Sequence, residues 1–232
     1  MPNWVLNILE IEGDSNEILN CLDYIKDENN YISFQKIKPR PSELDIESGT
    51  ISNISYAVYK YLNDPNDCND LLEYLKYPWV KNAGISNVKD LIDYLISNNR
   101  YDADLGYRVH KNILDHGCSD WYTWNLTNWG TKWESSESYV SGSNVIFETA
   151  WSAPFPIIEE ISKKFSNLKF ILKWADEDIG SNCGIAEFNN GTFKIVEEES
   201  ILLACNIRGL DPAEYDYSYA RDKKIDSIIK ND

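Results

Sequence analysis

What most narrows the fold of this chain is an order of patterns. An apolar strand-like run passes directly into a helix-like run, twice, with a long helical stretch between the two occurrences. Residues 4–11, WVLNILEI, are apolar on both parities except for Asn7 and Glu10, as expected of a central strand covered by helices. Gly13 ends the run, Asp14 precedes Glu17 by one helical turn as in a capping box, and Ile18, Leu19, Leu22 and Ile25 follow at helical spacing. The second unit is the strand NVIFETAW at 144–151, followed by a helix that Pro156 opens and that carries Ile157, Ile158, Ile161 and Phe165.

The segments around these units complete the reading. YISFQKI at 31–37 alternates like a strand and is stopped by Pro39 and Pro41. From 43 to 117 the periodicity is helical, with Leu71, Leu72 and Leu75, then Leu91, Ile92, Leu95 and Ile96, and a last run from Asp102 to Leu114 closed by Gly117. Ser135 to Ser143 is small and polar and reads as a loop. KFILKW at 169–174, GIAEF at 184–188 and TFKIV at 192–196 read as strands, the last two joined by Asn189-Asn190-Gly191, which supplies the positive φ values of a tight hairpin. Beyond Glu197 come an apolar run, a tyrosine-rich stretch (Tyr215, Tyr217, Tyr219) and a weak terminal helix. The fold class this predicts is α/β (α+β): a ferredoxin-like antiparallel sheet with helices on one face and an inserted helical subdomain. The predicted organisation is a ferredoxin-like sandwich over 1–42 and 118–200, a helical insert over 43–117, and a C-terminal tail over 201–232 that packs on the domain.

Charge and cysteine usage limit the function classes. The chain of 232 residues has 22 basic against 38 acidic side chains and a formal charge of −16, which repels duplex DNA and favours basic partners. Its 5 cysteines are odd in number and widely spaced, with no CxxC pair, which points to a reducing, cytoplasmic setting. Neither a signal peptide nor an apolar run long enough for a membrane span is read, so no membrane partner is expected.

Trp121, Trp124, Trp129 and Trp133 fall within the single stretch GCSDWYTWNLTNWGTKW at 117–133. Indoles gathered this way either key a core or wall a binding surface. In the first case they fill the gap between sheet and insert, with Lys132 reaching to water. In the second, Asn128, Trp129, Lys132 and Trp133, joined by Trp151 from the later strand, form a ligand-binding cleft. There Gly130 permits a positive φ, the rings stack a planar group, and Lys132 meets a phosphate or carboxylate. The helix-free face of such a sheet is where RNA-recognition modules stack bases, a likeness of fold alone.

Other constellations are less specific. Asp176-Glu177-Asp178 offers three hard oxygen donors but lacks the ligand spacing of an EF-hand and reads as a solvated turn, so no metal is expected. His110 and His116 are six apart, which is wrong for a helical zinc pair, and Cys118 lies near His116 in sequence only. With no phosphate loop, dinucleotide fingerprint or GxSxG elbow in the sequence, no cofactor and no catalytic residue is assigned.

The opening MPNW-V-N-L-I-G pattern, the segment carrying Phe34, Lys36, Ile37, Pro39 and Pro41, the WYxWNxxNWGTKW stretch, the FxTAWSxPxPI stretch from Phe147 to Ile157, and Asp176-Glu177 resemble the YubB ferredoxin-like family of plasmids, phages and integrated elements. The resemblance spans most of the chain outside the insert. It implies the ferredoxin-like fold and a mobile-element setting, and no established activity. The leading expectation is a non-enzymatic cytoplasmic binding protein that holds a planar, nucleotide-like ligand, with counter-defence by sequestering a signal as the role suited to that setting. The alternative is an acidic interaction module or nucleic-acid mimic that binds a basic host protein. A third reading is an enzyme that turns an acid such as Asp176 or Glu177 toward the tryptophans.

Overall fold

The computed structural model describes residues 2–215, so Tyr217, Tyr219 and the expected terminal helix lie outside the described residues. The chain divides into two compact units, Met1–Pro39 with Asn125–Asp232, and Arg40–Trp124. In chain order the first unit begins with β1 (Trp4–Glu12), α1 (Ser15–Ile25) and α2 (Phe34–Ile37). The second holds α3 (Thr50–Asn63), α4 (Asn69–Tyr74), α5 (Pro78–Asn82), α6 (Val88–Ser97) and α7 (Ala103–His116). α8 (Trp121–Asn128) leads back to β2 (Ser136–Ser141), β3 (Asn144–Ala150), α9 (Phe155–Lys164), β4 (Lys169–Asp176), β5 (Cys183–Asn189), β6 (Thr192–Glu198) and α10 (Ile201–Arg208).

The described strands form one sheet in the order β2-β3-β1-β4-β5-β6, antiparallel throughout. Its first four positions, with α1 after β1 and α9 after β3, are the ferredoxin-like arrangement; the β5–β6 hairpin extends it past β4. Alternation along β1 turns Val5, Leu9 and Ile11 to a buried face shared with Val145, Phe147, Phe170, Leu172 and Phe188. α9 covers this face: Ile157, Ile158 and Ile161 are fully buried, and Phe155 meets Trp174 and Phe188 at ring-centroid distances of 5.0 and 5.4 Å. Asn190 (φ 47°) and Gly191 (φ 76°) make the turn of the β5–β6 hairpin.

The opposite face has two characters. Near the start of β1, α10 lays Leu203, Ala204 and Ile207 on Leu6, Ile8, Ala175 and Ile185, an addition to the single helical layer read from the sequence. Farther along, Lys173 pairs with Glu10 at 2.6 Å and Lys169 with Glu187 at 2.8 Å. This part of the sheet is a ladder of ion pairs and carries no row of aromatic rings for stacking bases.

Two elements differ from the sequence reading, and together they relocate the second strand of the motif. The run at 31–37 is not a strand: Ile32 makes only an isolated bridge with Lys26, and α2 starts at Phe34. Ser33 caps that helix by accepting from the Lys36 N–H, which turns Phe34 and Ile37, one helical turn apart, to the buried side together. The strand is instead the stretch read as a loop, β2. As an edge strand paired only with β3, it buries Ser138, whose hydroxyl accepts from the Ile32 N–H at 3.0 Å. A shift of register between Ser136 and Tyr139, with Glu137 at φ 48°, further breaks its alternation.

The helical unit is held by apolar packing of Ile54, Ala57, Val58, Leu71, Val80, Leu91, Ile92 and Leu95. Gly106 lets α7 lie against α3, because a Cβ there would stand 2.4 Å from the Ser55 carbonyl oxygen. Asp102 caps α7 by accepting from the Leu105 N–H, and Gly117 ends it in the left-handed conformation at φ 72°.

Candidate functional site

The expected cleft residues do not stay together. Trp129 is buried, 4% exposed; its ring lies edge-on to Phe34 and its indole N–H donates to the Lys38 carbonyl at 2.9 Å. It is a core residue and offers no face to a ligand. Asn128 ends α8 and is half-buried. Trp121 and Trp124 belong to the other unit, where Arg40 lies over the Trp121 ring at 6.0 Å.

Lys132, Trp133 and Trp151 do come together. Lys132 Nζ lies over both indoles, 4.4 Å from the Trp133 centroid and 4.6 Å from that of Trp151, and the two rings are 36% and 43% exposed. Trp4 adds a third indole, 6.1 Å from Trp133 and tilted by 41°. The sequence reading missed Trp4. The β1–β3 register brings it there, since Trp4 stands opposite Ala150, the neighbour of Trp151.

Buried and part-buried hydrogen bonds fix this group. Thr131 Oγ1 donates to the Ala150 carbonyl at 2.8 Å and Asn125 Nδ2 to the Lys132 carbonyl at 2.8 Å. Ser152 Oγ donates to the Gly130 carbonyl at 2.5 Å, while Thr149 Oγ1 donates to the Ser152 carbonyl at 2.7 Å and accepts from Asn7 Nδ2 at 2.9 Å. The NWGTKW and TAWS segments, far apart in sequence, are therefore one physical object. Gly130 is required where they meet: its φ is 79°, and a Cβ would stand 2.6 Å from Cδ of Pro156.

Strain is also held here. Trp151 has a φ of 71°, a left-handed region costly for a bulky side chain, and Asn182, of a type that tolerates this region, has a φ of 44°. Trp151 donates its N–H to the Asn3 carbonyl at 3.0 Å, and its carbonyl accepts from Asn182 Nδ2 at 3.0 Å. The same Asn182 amide donates to Asp176 at 2.9 Å, and Asp176 also accepts from Asn3 Nδ2 at 3.1 Å and the Asp178 N–H at 2.9 Å. Asp176 is only 5% exposed, so the first residue of the acidic run is a buried anchor for the Trp151 loop and not part of a solvated turn. Among the described residues no three His, Cys, Asp or Glu side chains gather to hold a metal ion.

Glu134 closes the segment from the other side. Its carboxylate accepts from Ser33 Oγ at 2.8 Å and the Gln35 N–H at 3.1 Å, at the start of α2. Burial pushes its carboxyl above the usual range, against the hydrogen bonds from Gln35, Ser33 and Phe34, which favour ionisation. Elsewhere, the Cys118 thiol donates to the backbone carbonyl of His116 at 3.2 Å, and burial together with Asp120 raises its pKa, the reverse of nucleophile activation. Cys21 is pushed up to about 12 by burial.

Residues 128–210 match the family model of the ferredoxin-like domain in Api92-like protein. The match begins at the NWGTKW segment and runs through α10. The crystal structure of the protein api92 from Yersinia pseudotuberculosis is similar at 14% identity, with a TM-score of 0.41, over 86% of this chain and 99% of that one. No curated protein matches the chain. No helix among the described residues is long and apolar enough to cross a membrane.

Proposed function

We propose that the protein binds a planar, anionic, nucleotide-like molecule at the group formed by Trp4, Lys132, Trp133 and Trp151. The observation that carries this reading is an ammonium lying over two half-exposed indoles, one of them held in a left-handed conformation by a buried carboxylate network. A self-contained core has no use for a strained, exposed tryptophan, whereas a site that must present a ring does. On binding, the ligand ring takes the place of the ammonium against Trp133 and Trp151, and Lys132 turns to the ligand's phosphate or carboxylate. Within this proposal the chain is a cytoplasmic member of the YubB ferredoxin-like family. Sequestration of a host signal is the role that suits a mobile-element setting.

The test is tryptophan fluorescence during titration with adenosine monophosphate and related nucleotides. Saturable quenching is expected, weakened about tenfold or more by Lys132→Ala, the loss of a charge-assisted contact. Trp151→Gly should abolish the quenching and barely move the thermal midpoint, because glycine accepts φ 71° without strain. Absence of quenching across the nucleotides, or quenching unchanged in both variants, would sink the proposal.

A second reading rests on β6. This edge strand exposes Phe193 and Val196 and ends in Glu197 and Glu198, with Glu199 directly after it, so its open backbone and acidic end offer a strand-pairing surface to a basic protein. Binding by this route depends steeply on salt and is indifferent to Lys132→Ala.

A further inference from the structure

The helical unit contains a cavity of about 320 Å³ lined by Asn53, Tyr56, Asp70, Glu73, Tyr74 and Tyr77. Its walls follow from helix geometry. Asp70, Glu73, Tyr74 and Tyr77 recur at i, i+3, i+4 and i+7 along α4 and the turn after it, and Asn53 and Tyr56 sit one turn apart on α3. Two carboxylates and three phenol rings therefore face one space, and the rings of Tyr74 and Tyr77 lie 5.6 Å apart.

The chain's own chemistry shows what such a lining takes. Lys60, one turn beyond Tyr56 on α3, places Nζ 5.2 Å from the Tyr56 centroid, 2.9 Å from the Asp70 carboxylate and 3.3 Å from Asp67. An ammonium over a tyrosine face and against a carboxylate is thus already present at one side of the cavity. Tyr74, Tyr77 and Glu73 repeat the same pair of partners on the other. Among the described residues Glu73 pairs with the exposed Lys76 at 2.5 Å, a surface ion pair that an incoming cation displaces at little cost.

We propose that this cavity binds the ammonium head of a linear diamine or polyamine. Aromatic faces with carboxylates at their rim are the recognised surroundings of alkylammonium groups, and the formal charge of −16 raises the local concentration of polycations. The proposal is independent of the tryptophan site, which lies in the other unit.

The experiment is titration of the full chain with 1,5-diaminopentane, read on the aromatic resonances of isotope-labelled tyrosine, with 1,5-pentanediol as the uncharged control. Saturable shifts at Tyr56, Tyr74 and Tyr77 are expected for the diamine, with a dissociation constant on the order of 1 mM, and none for the diol. Tyr74→Leu and Asp70→Asn should each weaken binding by about threefold or more, and Lys60→Met should tighten it by removing the internal competitor. Glu160→Gln, on the exposed side of α9 in the sheet unit, should leave it unchanged. Equal shifts with the diol would overturn the proposal. So would a constant that is the same in Tyr74→Leu, which would assign the effect to overall negative charge.

Discussion

The two units hold themselves together by different means. In the helical unit, the described core is a set of aliphatic side chains around Leu71, Leu91 and Val58, joined by short connections and close to one another in sequence. In the sheet unit, β1 pairs with strands more than 130 residues away, and the loop bearing the tryptophans is tied by side-chain hydrogen bonds from Thr131, Asn125, Thr149 and Ser152. Apolar contacts tolerate small displacements; a network of directed bonds shielded from water does not. Positional precision is therefore built into the Trp151 loop, whereas the tyrosine-lined cavity lies between α3 and α4, helices held by apolar packing.

Leu91→Ala tests the apolar side of this contrast and should have the largest effect. Leu91 is fully buried in the helical core, and its truncation should cost about 2–5 kcal/mol. Hydrogen exchange should show faster exchange of the amides in α3, α6 and α7, with protection retained in β1 and β4. Equal loss of protection in both units would break the comparison by showing that they unfold as one.

The directed side is tested by Gly130→Ala. A methyl there meets Pro156 Cδ at 2.6 Å and forces alanine into φ 79°, so about 2–4 kcal/mol is expected from the two penalties combined. Here the informative readout is local. Near-ultraviolet circular dichroism of the indoles should change even in the folded variant, because both the NWGTKW and TAWS segments must move. An unaltered spectrum with only a lowered midpoint would show that the loop repacks without disturbing the tryptophans.

The parts of this organisation that were legible in the sequence are those governed by local rules. Asp14 as a helix cap, Asp102 and Gly117 as the bounds of the last inserted helix, Asn190-Gly191 as left-handed turn positions, and the aliphatic spacing of α6 and α9 all act within a few residues. The second strand was not legible, because its inward position is filled by Ser138, whose partner is the backbone of Ile32 across the fold. The misreading of 31–37 has the complementary cause: Ile32 and Phe34 alternate as in a strand, while Phe34 and Ile37 behind Ser33 fit a capped helical turn, and Glu134, accepting from Ser33 and Gln35, favours the turn. In the site, Lys132, Trp133 and Trp151 could be grouped by residue type. Which indole faces inward could not, since Trp129 and Trp133 differ only in whether Lys38 or Trp4 lies beside them.

Glu134 provides the finest test, because it joins the tryptophan segment to the helix that replaced the expected strand. Its folded pKa is raised by burial, so ionisation costs more in the folded protein than in the unfolded chain. The sign follows by linkage. The favourable contribution of the protonated group is fully present below the ordinary carboxyl value and is lost as pH rises through the raised folded value. Glu134→Gln carries no such titration and keeps an acceptor for the Ser33 hydroxyl and the Gln35 N–H. The thermal midpoint of the variant relative to the parent should therefore rise as pH is raised from the ordinary carboxyl value through the raised folded one. A relative midpoint that falls with pH would mean that the three hydrogen bonds outweigh burial, and that the junction is stabilised by the carboxylate's charge instead of merely tolerating it.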